Sequence, residues 1–152
     1  MNKFSIRILE EKIKLYKCNR EEYKNIILKY NLYNDEDILC KTILEDEVTF
    51  YYFLKQDTNE TKNEKDNYCN HYNHYILSKI CVSDPRKYTV INIYEDIPGI
   101  DHVGIIYNIS RLFLEKSIPI LYINTYGHNL ILISEEHLNN GLDILKKIGN
   151  IE

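Results

Sequence analysis

The sequence predicts a small α+β protein whose second half follows the β-α-β-β-α order of a ferredoxin-like unit. Three observations lead there. Apolar residues recur at two-residue spacing in several short runs, the period of a half-buried strand. Two later stretches switch to the three-to-four spacing of an amphipathic helix. The chain has 152 residues, 44% hydrophobic and 28% charged, which suits one compact domain or two small units and argues against disorder.

The elements follow in order. Phe4-Ser5-Ile6-Arg7-Ile8-Leu9 and Ile13-Lys14-Leu15-Tyr16-Lys17-Cys18 are two alternating runs joined by Glu10-Glu11, which predicts a β-hairpin. Between Glu21 and Tyr33, the spacing of Tyr23, Ile26, Ile27 and Tyr30 predicts a helix. Val48 to Leu54 is dense in β-branched and aromatic residues and predicts a strand. The polar segment 56–73 lacks the apolar surface needed to offset its ordering entropy and is expected to be a mobile insertion. Tyr75 to Val82 then predicts a second strand, closed by a turn at Ser83-Asp84-Pro85.

In the second half, Tyr88 to Tyr94 predicts a strand. Asp101 is a candidate N-cap for an amphipathic helix from His102 to about Lys116, with Ile105, Ile106, Ile109, Leu112 and Phe113 on its apolar face. Ile118 to Asn124 and Leu130 to Ile133 predict strands around a tight turn at Tyr126-Gly127-His128-Asn129. Ser134, with Glu135 and Glu136 behind it, predicts the start of a last helix striped by Leu138, Leu142, Leu145 and Ile148. Only the final strand of a βαββαβ unit is missing, and the N-terminal hairpin is the candidate to supply it.

Composition bounds the function. A net charge of −4 disfavours a nucleic-acid partner, since phosphate binding needs a concentrated basic surface. No stretch reaches the ~18 to 20 apolar residues of a membrane span, and Met1 to Arg7 lacks the apolar block of a signal peptide. A cytoplasmic protein is expected. Cys18, Cys40, Cys69 and Cys81 are scattered and form no CxxC pair, in keeping with free thiols in a reducing compartment.

Several blocks carry a family resemblance. Asp96-Ile97-Pro98-Gly99, Val103-Gly104-Ile105-Ile106, Ile118-Pro119-Ile120, Ile123 through Ile133 and Glu135-Glu136-His137-Leu138 together resemble the CASTOR-type ACT domain. The specific match covers about the last third of the chain. Phe4 to Cys18 and Val48 to Leu54 look more weakly like the opening of short stand-alone bacterial members. The resemblance implies a degenerate, β-rich ACT-like subdomain over 1–86, carrying the insertion, and a CASTOR-type ACT domain over 87–152. It implies a non-catalytic regulatory protein, a homodimer, with an amino acid as ligand and no cofactor.

The implied site joins two segments: Asp101, His102, Val103 and Gly104 at the start of the first helix, and Asn124, Thr125, Tyr126, Gly127, His128 and Asn129 at the strand turn. The backbone N–H groups of a helix start suit a ligand carboxylate, and Gly104 permits close approach. The family's turn ends in Asp where this chain has Asn129. Loss of that charge-assisted bond is worth roughly 1.5 to 3 kcal/mol, one to two orders of magnitude in affinity. His128 likewise stands where the family has a small polar residue. Arginine is therefore disfavoured as ligand. On the residues alone a second reading stays open, in which Gly104 serves helix–sheet packing and Gly127 a turn with positive φ. On that reading the chain is a protein–protein adaptor that keeps the ACT fold without a ligand.

Other constellations are weaker. Cys69, His71 and His74 form a C-x-H-x-x-H cluster without an evident fourth ligand, so no metal site is expected. No nucleophile motif, P-loop or dinucleotide fingerprint is present, and no catalytic set is expected. The runs Asp35-Glu36-Asp37 and Glu45-Asp46-Glu47 read as solvated surface, and the Tyr-rich segments as packing residues.

Overall fold

The computed structural model describes residues 4–30, 37–55, 64–94 and 104–152; the side chains of Tyr30 and of residues 64–71 also lie outside that set. Two compact units divide the chain: Glu11–Lys87, and Met1–Glu10 together with Tyr88–Glu152. The long first strand, β1 (Phe4–Asn19), contributes to both.

In the unit Glu11–Lys87, β1 is followed by α1 (Arg20–Tyr30), β2 (Ile38–Leu44), β3 (Glu47–Leu54), α2 (Glu64–Ile80) and β4 (Val82–Ser83). β3 lies between β2 and β1, and β4 pairs with β1, all antiparallel. The order is βαββαβ. Tyr16, Cys18, Tyr23, Ile26, Val48, Phe50, Tyr52, Ile76, Leu77 and Cys81 make one buried cluster, in which Tyr16 stacks on Phe50 at 5.6 Å and meets Tyr52 edge-on.

The other unit holds β5 (Tyr88–Tyr94), α3 (Ile105–Leu114), β6 (Ile120–Asn124), β7 (Asn129–Ser134), a 3₁₀ turn at Glu135–His137, α4 (Leu138–Leu145) and β8 (Gly149–Ile151). Its strand order runs β1-β5-β7-β6, with β8 parallel to the start of β1, Phe4 opposite Gly149. The final strand expected to be missing is β8, and the first part of β1 lies between it and β5. A Cβ at Gly149 would run into the Phe4 carbonyl oxygen, so this close approach requires glycine. Ile6, Ile91, Ile93, Ile131 and Ile133 meet Ile109 and Phe113 of α3 and Ile144 and Leu145 of α4, each fully buried large side chain contributing about 1.5–3 kcal/mol.

Several expectations need correction. Phe4 to Cys18 is one continuous strand rather than a hairpin. Glu10-Glu11 brings charge but none of the residues that favour positive φ, which a two-residue turn needs. Tyr75 to Ile80 is helical, and so are residues 64–73 of the expected insertion. Aromatic and β-branched content favours a strand there, but Ile76, Leu77 and Cys81 fall at helical spacing on the buried side. Residues 56–63 lie outside the described set. β2 is an element the sequence reading lacks, and Glu45-Asp46 forms the turn of its hairpin with β3, Glu45 adopting φ 52. The Ser134 hydroxyl bonds the Glu136 carboxylate at 3.4 Å instead of capping the backbone. No helix among the described residues is long and apolar enough to cross a membrane.

Candidate functional site

The end of β5 and the start of β7 form one edge, where Ile93 pairs with Asn129 and Asn124 of β6 pairs with Asn129 from the other side. From this edge the chain leaves β5 toward α3. Asp101, His102 and Val103 lie outside the described residues, so the Asp101 cap and a helix start at His102 are not seen. Helix α3 begins at Ile105, and Gly104 occupies its N-cap with φ 88, a left-handed conformation open to glycine at little cost. Gly104 has no side chain to cap this end, and the first turn holds no acidic residue. Its first backbone N–H groups are the positive end of a ten-residue helix. A Cβ at Gly104 would find only Asn108 Nδ2, at 4.0 Å; conformation, not space, selects glycine here.

The turn 125–128 is held by its own polar groups. The Thr125 N–H donates to the His128 carbonyl at 2.9 Å, and the His128 N–H donates to Thr125 Oγ1 at 3.1 Å. Gly127 does not take positive φ, and a Cβ there would meet nothing within 4 Å. The turn geometry therefore does not demand this glycine. Tyr126 is 88% exposed.

Strand alternation sends the turn's neighbours to opposite faces. Asn129 shares the face of Ile131 and Ile133, which pack on the helices, and its Oδ1 accepts from the Tyr122 hydroxyl at 3.0 Å. His128 lies on the other face, where Asn92 Nδ2 donates to its Nδ1 at 3.0 Å and the Tyr94 ring stands edge-on at 5.5 Å. Sequence reasoning misses Asn92, Tyr94 and Tyr122. Asn92 is 6% exposed and its Oδ1 is buried without a hydrogen-bond partner, a costly state for an amide. An Asn inside the run Tyr88 to Tyr94 is the available signal, hidden by the abundance of Asn.

Of the Cys69, His71, His74 cluster, only His74 has a described side chain. His74 turns inward: its Nε2 faces the Phe53 carbonyl at 3.2 Å and its Nδ1 the Tyr16 hydroxyl at 2.6 Å. A carbonyl only accepts, so Nε2 carries the proton and Tyr16 donates to Nδ1. Burial, more than the nearby Cys81 and Tyr52, raises the Tyr16 hydroxyl well above its ordinary value. Cys69 and His71 side chains lie outside the described set, and no group of three or more metal-ligating residues occurs among the described ones. Asp37 is not solvated: it is 6% exposed, 3.4 Å from the Tyr52 hydroxyl and 2.7 Å from the Lys55 ammonium. Its Oδ1 gains the charge of Lys55 without a well-directed hydrogen bond.

No protein-family model matches the chain, and no curated protein matches it by sequence. Solved structures do. A Vibrio cholerae protein of unknown function, described as a possible transport protein, is similar at TM-score 0.64 and 11% identity, over 97% of this chain and 91% of that one. The ligand-free regulatory subunit of aspartate kinase from Thermus thermophilus gives TM-score 0.59 at 7% identity, over 95% and 97%. A putative C-terminal regulatory domain of aspartate kinase from Porphyromonas gingivalis gives 0.53 at 15%, over 94% and 96%. The fold is the ACT-type fold of these regulatory chains, and at such identities the likeness establishes the fold alone.

Proposed function

We propose that this chain is a non-catalytic regulatory protein that binds an amino-acid-sized ligand at the edge formed by the start of α3 and the turn between β6 and β7. The carrying observation is the N-terminus of α3, headed by Gly104 at φ 88, with no side-chain cap from Gly104 and no acidic residue in its first turn. A carboxylate there would accept from the free backbone N–H groups of the helix start. Asn124, Thr125, Tyr126 and Asn129 would receive the rest of the ligand, Asp101 to Val103 would line the approach, and His128 would support the turn from the opposite face. The regulatory subunits of similar fold favour this reading over a catalytic one, and it carries a cytoplasmic homodimer with two ACT-type units divided near residue 87.

Thermal unfolding against the twenty amino acids is the test. A ligand at ~100 times its dissociation constant stabilises by about 2.7 kcal/mol, a shift of several degrees for a chain of this size. Tyr126→Ala should weaken the response at least tenfold while leaving the unliganded midpoint in place, because Tyr126 is 88% exposed. Gly104→Leu should also abolish binding, but its backbone conformation adds strain of its own. Undiminished binding in Tyr126→Ala would exclude this site.

One observation favours the adaptor reading. Asn129, His128 and Thr125 already have internal hydrogen bonds, so a ligand would have to compete with them. A flat panel together with a stoichiometric protein partner would establish that alternative.

A further inference from the structure

A second feature lies in the unit Glu11–Lys87. β4 pairs antiparallel with β1 in the register Tyr16 to Ser83 and Lys17 to Val82, and the residues that follow on each chain past Lys17 and Val82 are Cys18 and Cys81. The Asp84 N–H donates to the Leu15 carbonyl at 3.2 Å, which makes the odd-numbered β1 rungs the hydrogen-bonded ones. Cys81 lies between the end of α2 and β4, its N–H donating to the Leu77 carbonyl at 2.8 Å, and the register carried one step past Val82 would bring it beside Cys18 at the spacing of a non-hydrogen-bonded pair, about 4.5 Å between Cα atoms. That spacing lies within the range a disulfide accepts. The two thiols are near enough for each to influence the other's ionisation, belong to one hydrophobic cluster, and are 6% and 8% exposed. Cys18 also borders an open groove of about 510 Å³ with Lys17, Glu22, Ile80 and Val82. Neither is joined in a disulfide in this structure.

We propose that Cys18 and Cys81 are a reversible dithiol site, closed to a disulfide by a low-molecular-weight disulfide and reopened by a thiol. In the first step the Cys18 thiolate, on the groove side, attacks one sulfur of the reagent. The reagent's S–S bond breaks and one small thiolate leaves, taking up a proton. In the second step the Cys81 thiolate attacks the Cys18 sulfur and expels the second small thiolate. Two protein thiols are oxidised and the reagent's disulfide is reduced to two thiols. The new bond ties the central strand β1 to the C-terminal end of α2.

Burial raises both thiols above their ordinary values, and the neighbouring Glu22 adds to this at each. The site is accordingly slow at neutral pH. Closure should quicken by about tenfold per pH unit between 7 and 8, since attack requires the thiolate.

The test incubates the native, full-length protein with 2-hydroxyethyl disulfide, then alkylates and maps peptides by mass spectrometry. The expected result is one linked peptide pair containing Cys18 and Cys81, lost on adding dithiothreitol, with a raised thermal midpoint. Cys81→Ala should instead trap the reagent on Cys18 as a mixed disulfide. Native protein in which Cys18 and Cys81 both remain alkylatable would overturn the proposal. So would a linked pair made by Cys40 or Cys69. Because the wild-type protein gives the deciding result, a misfolded variant cannot obscure it.

Discussion

Cys40 sits on β2 opposite Tyr51, and burial lifts its thiol from 9 to about 11. Tyr51 is raised too, first by burial and then by the charge Cys40 would acquire. Between pH 9 and 11 the unfolded chain gives up the Cys40 proton while the native chain keeps it. Its contribution to stability is therefore complete below pH 9 and lost as pH climbs toward 11. The urea midpoint should fall across that window and Cys40→Ala should fall less steeply, as equilibrium unfolding at a series of pH values would show. A parallel decline in both proteins would assign the effect elsewhere. At this scale the sequence is partly legible. The Asn129 substitution can be read directly, but its partner Tyr122 cannot, because only the β6–β7 register brings the two together. Asp37 escapes a linear reading for a related reason: its burial depends on Tyr52 and Lys55, both distant in the chain.

Helix α1 shows how local chemistry fixes an element. The Glu22 N–H donates to Asn19 Oδ1 at 2.8 Å, while the Asn19 N–H donates to Glu22 Oε2 at 3.0 Å. This reciprocal capping box satisfies two backbone donors at the point where β1 ends. Asn19→Ala should cost about 1 kcal/mol, read from the urea midpoint, and a loss well below that would mean the helix start is held by packing alone. Elements with a clean period are legible: β3, β5 and β7 match their runs of residues, and on α3 Ile105, Ile109, Leu112 and Phe113 pack on the core while Ile106, also expected there, is 47% exposed. Those decided by tertiary contact are not. α2 is written in Tyr, His and Asn, which carry little helical signal, and its position follows from Ile76, Leu77 and His74 packing against β1 and β3. β2 has a short apolar run whose partner strand supplies most of its definition.

Across the whole molecule, both units have the βαββαβ plan, though the sequence displays it only in the second. The first residues of β1 complete the unit built from Tyr88 to Glu152, with Ile6 fully buried in its core. Deleting residues 1–10 should therefore unfold that unit. Hydrogen exchange should report loss of protection along β5 and β7, whereas a truncated chain that retains it would show those strands to be self-sufficient.

The pairing of Phe4 with Gly149 also has a consequence in time. A ribosome releases Phe4 well before Gly149, on the order of ten seconds earlier at common elongation rates. Throughout that interval the opening strand lacks β8 beside it, although its later residues can already pair with β3. Newborn chains should therefore pass through a stage in which this apolar strand is only half paired, open to chaperones and to aggregation, until Gly149 to Ile151 emerge.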